Sequence, residues 1–377
     1  MRPYGNYPDL DRIRRILVIK LRHHGDVLLT SPVFTNLRRR LPEARIEAMI
    51  YKETLPMLEG HPAVDRFHLY DPDWKKLPGW RRLAREVSFI RQVRQEGFDL
   101  AINLTEGDRG AFAAWLSKAP CRVGFESKGK KSWGKERIYT HRVKRPDLPR
   151  HMVEQNLDAL RRIGIFPGPE ERALSLHIPD ADQRRITERL SRAGIRPHTY
   201  VLVHPTSRWL FKCWPMEKTI LLVRRLIEEG MPVVLSSAPD PKELELIEMI
   251  TAGCGNRSLL NLGGKLTLKE LCALIGLSRC LVTIDSVPMH IASALKTPVV
   301  AVFGPSSDVV WGPWHHASGR VVAPDVPCRP CNLDGCGGGK VCDCLERVSV
   351  DRVAESLREL LAFAPPGEGA MPRPQAL

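Results

Sequence analysis

The chain has 377 residues, 43% hydrophobic and 27% charged, which is more than one core usually supports and ordinary for a globular protein of two domains. Its formal charge is +14, a surplus that attracts nucleic acid, a membrane face or a phosphorylated substrate without choosing among them. No apolar run nears the ~20 residues of a membrane-spanning helix, and residues 1–8 lack the apolar segment of a secretory signal, so the expected location is the cytoplasm.

Residues 15–20 (Arg-Ile-Leu-Val-Ile-Lys) are a short apolar run rich in β-branched side chains and predict a buried strand. Residues 21–26 turn into a helical pattern that runs from Val27 to about Arg40. Strands are expected at 45–51, 65–70, 98–104 and 122–125, with helices at 80–96, 111–117 and 151–163 between and after them. Residues 127–137 carry Lys128, Lys130, Lys131 and Lys135 among glycines and read as a mobile basic loop. The stretch 167–179 is Pro-rich and irregular, and the domain boundary is placed there or just after it.

The pattern then restarts. Strands are expected at 200–204, 232–236, 258–262, 280–284 and 297–303, and helices at about 216–229, 241–251, 268–277 and 350–362. Strands that alternate with helices imply parallel, doubly wound sheets. Two such arrays predict an α/β protein of two facing Rossmann-like domains with a cleft between them. The composition of 365–377 reads as a disordered tail.

Three turns at strand ends could carry chemistry. Gly25-Asp26 follows the first strand. Asp26 is either a helix N-cap or a carboxylate base for an acceptor hydroxyl, with Lys20, Arg22, His23 and His24 nearby to bind anions. Thr206-Ser207-Arg208 and Lys212 follow the strand at 200–204. They form either an ordinary turn or a diphosphate site, and the glycine spacing of a Walker A loop is absent. Asp285-Ser286-Val287-Pro288-Met289-His290 joins a buried strand to a short helix whose free N–H groups suit a phosphate. Here the bland readings are a cap at Asp285 and Ser286 and a half-buried His290. Near the C-terminus Cys328, Cys331, Cys336, Cys342 and Cys344 crowd into a Gly-rich stretch. That spacing is open to a structural zinc, an iron–sulfur cluster, disulfides or free thiols.

These residues resemble glycosyltransferase family 9, the lipopolysaccharide heptosyltransferases, over nearly the whole chain and most closely the heptosyltransferase III branch. The segments that carry the resemblance are 20–32 (KLRHHGDVLLTSP), 204–215 (HPTSRWLFKCWP), 283–290 (TIDSVPMH) and 303–306 (FGPS). The resemblance implies a GT-B fold, with an acceptor-binding domain at 1–178, a nucleotide-sugar domain at 179–350, a closing helix at 351–363 and the tail at 364–377. It implies inverting transfer of heptose from ADP-heptose to the inner core of lipopolysaccharide, with no metal cofactor, by a monomer peripheral to the cytoplasmic face of the inner membrane and not bound to nucleic acid. By position Asp26 is the base. Thr206, Ser207, Lys212, Glu243, Leu266, Asp285, Ser286, Val287 and His290 are donor ligands, Glu243 at the ribose and Leu266 at adenine. Lys20, Arg22, His23, His24, Lys128, Lys130, Lys131 and His151 face the acceptor phosphates. Many members have Gly two residues after the Asp of the donor turn, where this chain has Val287. The rival readings are a GT-B enzyme with another nucleotide-sugar donor, a sugar-nucleotide-binding scaffold without catalysis, and a basic nucleic-acid-binding protein, the last disfavoured by only 6% aromatic residues.

Overall fold

The computed structural model describes residues 7–126, 135–255 and 259–363. The chain divides into two compact units at His177 and Ile178.

The first unit runs β1 (Arg15–Lys20), α1 (His24–Leu28), α2 (Ser31–Arg40), β2 (Arg45–Tyr51), β3 (Arg66–Tyr70), α3 (Gly79–Gln95), β4 (Leu100–Asn103), α4 (Asp108–Leu116), β5 (Cys121–Phe125), α5 (Lys135–Ile138), β6 (His141–Val143) and α6 (Met152–Arg161). Its strands form one parallel sheet in the order β3-β2-β1-β4-β5-β6. Covered on both faces, β1 needs no polar alternation, and Ile16, Leu17, Val18 and Ile19 are all fully buried. Leu17 and Ile19 point into a cluster with Met49, Tyr70, Val93 and Phe98. The helical pattern after Val27 is two helices, not one. Pro32 sits in the first turn of α2, where its missing N–H is harmless, and its ring disfavours continuing a helix through the residues before it. At Gly110 the start of α4 closes on β4, and a Cβ there would collide with the Asn103 side chain and with Thr105 Cβ.

The second unit runs α7 (Asp180–Arg192), β7 (Val201–His204), α8 (Met216–Glu228), β8 (Val233–Leu235), α9 (Pro241–Cys254), β9 (Leu259–Asn261), α10 (Leu268–Gly276), β10 (Cys280–Ile284), α11 (Val287–Leu295), β11 (Val299–Val302), α12 (Asp308–Trp311), β12 (Gly319–Val322), α13 (Asp343–Glu346) and α14 (Val350–Phe363). The parallel sheet order is β12-β11-β10-β7-β8-β9. Val201, Val203, Val282, Ile284, Val300 and Val302 of the central strands pack with Leu222 and Leu226 of α8 and Leu357 and Leu360 of α14.

In each sheet the order reverses once, between β1 and β4 in the first and between β7 and β10 in the second. Ligands of open α/β sheets bind outside the carboxyl ends of the strands at such a point. Among the described residues no helix is long and apolar enough to cross a membrane. The basic loop's Lys128, Lys130 and Lys131 and the tail 364–377 lie outside the described residues.

Candidate active site

The second unit's switch point gathers two of the three turns singled out in the sequence. Parallel pairing puts His204 of β7 level with Thr283 of β10, and the Thr283 hydroxyl donates to the His204 carbonyl at 2.9 Å. The segments that follow these strands therefore emerge side by side. Lys212 ends a short 3₁₀ turn after β7, and its Nζ lies 2.6 Å from Asp285 Oδ2 just past β10. The Asp285 side chain is 9% exposed and that of Lys212 23%, so the pair is sheltered with the ammonium toward the surface. Ser286 is the N-cap of α11 in extended conformation. Its hydroxyl contacts Thr283 Oγ1 and the Ile284 carbonyl and does not cap the helix, whose first turn also holds no acid. The positive end of α11 is thus left for a ligand. Val287 is half-buried at the first helical position and His290 is buried within α11.

Thr206 and Glu243 form a second layer. The Thr206 hydroxyl, 1% exposed, donates to Glu243 Oε2 at 2.6 Å, and the Ala238 N–H donates to the same oxygen at 3.3 Å. Glu243, expected at a nucleotide ribose, is 3% exposed in the first turn of α9 and engaged with these two groups. Ser207 Oγ accepts from the Trp209 N–H at 3.2 Å. Leu266 is half-buried in the loop between β9 and α10. Thr206→Val keeps the shape and removes the donor, leaving part of a buried carboxylate unsatisfied; a fall in stability of about 1–3 kcal/mol, read from urea unfolding, is expected.

At the first unit's switch point, Asp26 is the third residue of α1, and the N-cap is His23. Asp26 is therefore not the cap that one reading of the sequence made it. Its carboxylate is 14% exposed and 4.0 Å from the Lys20 ammonium. Lys20 is buried, bonded to the Leu104 carbonyl at 3.0 Å and to Asn156 Oδ1 at 3.4 Å. Burial holds it below its usual range, an effect that Asp26 partly offsets. Arg22 and Glu106 lie close enough to act on it electrostatically. Arg22 and His23 are exposed. His24 bonds the Glu53 carbonyl at 2.9 Å, and His151 is buried as the N-cap of α6, where its Nδ1 accepts from the Val153 N–H. The structure brings residues to this edge that the sequence reading passed over. Glu106 follows β4 and pairs with Arg145 at 2.7 Å. Arg109 lies over the rings of Tyr51 and Tyr70, with its centre 5.9 and 5.3 Å from theirs. The signal was the strand end at 103, but that β4 lies beside β1 is a fact of sheet order.

The family model for "Glycosyltransferase family 9 (heptosyltransferase)" matches residues 86–341. The chain is 33% identical over 294 residues to lipopolysaccharide heptosyltransferase 3 of Escherichia coli, covering 78% of this chain and 84% of that one. This chain belongs to glycosyltransferase family 9. Among solved structures, the family 9 glycosyltransferase of Veillonella parvula superposes with a TM-score of 0.79 at 23% identity, covering 95% of this chain and all of that one. E. coli heptosyltransferase WaaC with ADP-2-deoxy-2-fluoro heptose gives 0.67 at 18% identity, covering 92% and 99%. The fold of this family 9 glycosyltransferase is accordingly GT-B.

The five C-terminal cysteines of the family 9 chain line one cavity of about 260 Å³ together with Arg329 and Asp343. Burial and the neighbouring thiols push Cys342 up to about 12, and burial raises Cys344 as well. A zinc site needs thiolates in a tetrahedral set. Among the described residues no group of three or more His, Cys, Asp or Glu side chains is placed to hold a metal ion, so the structural zinc suggested by the spacing is not supported.

One titration is built into β7. His204 is 5% exposed and bonds Ser236 Oγ at 2.9 Å, and burial lowers it to about 4 from 6.5. Between those pH values the unfolded ring binds a proton that the folded ring refuses. Stability is therefore whole above about 6.5 and lost as pH falls toward 4, by about 3 kcal/mol for this group. His204→Gln is expected to shrink the difference in urea midpoint between pH 7 and pH 4.5; an unchanged difference would remove His204 from the account.

Proposed function

We propose that this family 9 enzyme transfers heptose from ADP-heptose to a phosphorylated inner-core sugar of lipopolysaccharide, with inversion and without a metal. Three things support the donor: the heptosyltransferase relatives, the Lys212–Asp285 pair at 2.6 Å, and the uncapped α11 beside it. The second carries the reading. A sheltered ammonium held by a carboxylate, next to a helix N-terminus, can neutralise charge growing on a departing diphosphate, the task a divalent cation performs elsewhere. Thr206 and Glu243 brace that edge from behind, while Ser207, Val287 and His290 shape it and Leu266 borders it.

Inversion requires the acceptor oxygen to attack from the side opposite the leaving ADP. Asp26 takes the proton of that hydroxyl, and Lys20 holds the carboxylate in place from below. Arg22 and His23, being exposed, receive acceptor phosphates; His24 and His151 contribute by fixing the backbone at their hydrogen bonds. An acceptor of this kind lies in an anionic bilayer, which accounts for the +14 charge and implies action at the cytoplasmic membrane face.

The test is transfer of labelled heptose from ADP-heptose to lipopolysaccharides truncated at defined core positions, beside melting curves with ADP, UDP and GDP. ADP is expected to raise the melting temperature most. Product is expected with one core truncation and to persist in a chelator. Stronger stabilisation by UDP or GDP would move the enzyme to another donor, and ADP binding without transfer to any core would make it a scaffold.

A further inference from the structure

We propose that the exposed face of α3 and its neighbour α4 docks this enzyme on an anionic lipid surface. Trp80, Leu83 and Val87 recur at the i, i+3, i+7 spacing of one helical stripe. They are 70%, 62% and 37% exposed, while α3 buries its opposite side through Phe89 and Val93 in the core of the first unit. A stripe that turns a tryptophan and a leucine to water is not explained by the unit's own packing. On α4, which packs beside α3, Phe112 and Trp115 are 56% and 54% exposed at i, i+3, opposite the buried Gly110, Ala111 and Ala114.

Charge decides the occupant. Helix α3 carries five arginines, at 81, 82, 85, 91 and 94, against the single acid Glu86, and Arg82 is the one that pairs with it, at 3.0 Å. Lys75 and Lys76 precede the helix and are exposed, Lys76 paired with Asp73 at 2.8 Å and Lys75 adding to the charge of the arginines. The Arg81 guanidinium lies 5.0 Å from the Trp80 ring, so cation and indole reach the surface together. Apolar and aromatic side chains on one stripe, with a basic flank, are the composition of a helix lying in a membrane interface, the aromatic rings at headgroup level and the arginines on lipid phosphates. A second copy of the chain would bring the same arginines against themselves. This inference rests on the proposed lipid-linked acceptor, since an enzyme with a freely soluble acceptor gains nothing from such a face.

Sedimentation of the full chain with vesicles tests it. Wild type is expected to bind vesicles containing phosphatidylglycerol and to bind purely zwitterionic vesicles about tenfold less. Trp80→Ser with Leu83→Ser, and separately Arg81→Glu with Arg85→Glu, should each weaken binding to the anionic vesicles about tenfold or more. Leu221→Ser, on α8 of the second unit and 54% exposed in wild type, should not. Melting curves confirm that each variant is folded, and the charge-reversal pair, lying wholly on the surface, keeps the test decisive if the serine pair unfolds. Variants that bind as wild type does, or wild type that binds neutral vesicles equally, overturn the proposal. So does a concentration-dependent dimer that the α3 substitutions abolish, which would give the face to a second copy. Transfer by wild type to detergent-solubilised truncated lipopolysaccharide, with no vesicle present, tests the functional reading by itself: failure with every truncation would sink that reading, whereas success beside variants that bind vesicles as wild type does would sink only the docking surface.

Discussion

Asp26→Asn is expected to lower kcat by about 10²–10⁴ while ADP affinity stays within about twofold, because a positioned base contributes that much to proton transfer and takes no part in holding the nucleotide. Asparagine keeps the size of the side chain and cannot take the proton. The stability cost should be small, since Lys20 retains the Leu104 carbonyl and Asn156 Oδ1 as partners. That asymmetry separates the catalytic role from two structural ones. A carboxylate that merely favoured the start of α1 would cost a few tenths of a kcal/mol and no rate. A carboxylate that merely neutralised Lys20 would show in the melting curve first. Wild-type kcat in the folded Asn variant would end the assignment.

The strands were legible because parallel sheets bury both faces. Runs such as Ile16–Ile19 and Leu281–Ile284 have no polar alternation, and short runs of that kind bounded by turns are strands. The elements that were missed lack this signal. β6 is three residues long and interrupted by the exposed Arg142, and β12 is half-exposed at the sheet edge. Helix α7 carries a buried stripe at Ile186 and Leu190, yet it directly follows a Pro-rich segment whose composition is that of a linker. The turns after β7 and β10 could be named because a strand end, a small polar cluster and a helix start are all local features. That Lys212 reaches Asp285 across 73 positions depends on β7 lying beside β10. For the same reason Glu106 and Arg109 went unnoticed. The side-chain partners were beyond local reading too. Nothing within a few residues of Glu243 says that Thr206 will hold it in the interior.

Lys212→Ala is the second substitution with a large expected effect, and it acts on two quantities at once. On the proposed reading Lys212 faces the leaving diphosphate, and its loss should lower kcat/KM by about 10²–10³, the scale of removing one preorganised stabilising group. It also strands the Asp285 carboxylate, whose side chain is 9% exposed. Breaking a buried pair costs about 3–5 kcal/mol, and the 23% exposure of Lys212 brings the expectation here down to about 1–3 kcal/mol. A loss of activity alone would therefore be ambiguous between chemistry and folding. Lys212→Met combined with Asp285→Asn resolves it, since it removes both charges at similar volume. This double variant should melt near wild type and remain as slow as Lys212→Ala. If it regained transfer, the pair would be a structural tie and the leaving group would be stabilised by another cation. If Asp285→Asn alone kept the wild-type rate, the carboxylate would not be what aims the ammonium, and the uncapped N-terminus of α11 would carry the diphosphate with a freely moving Lys212.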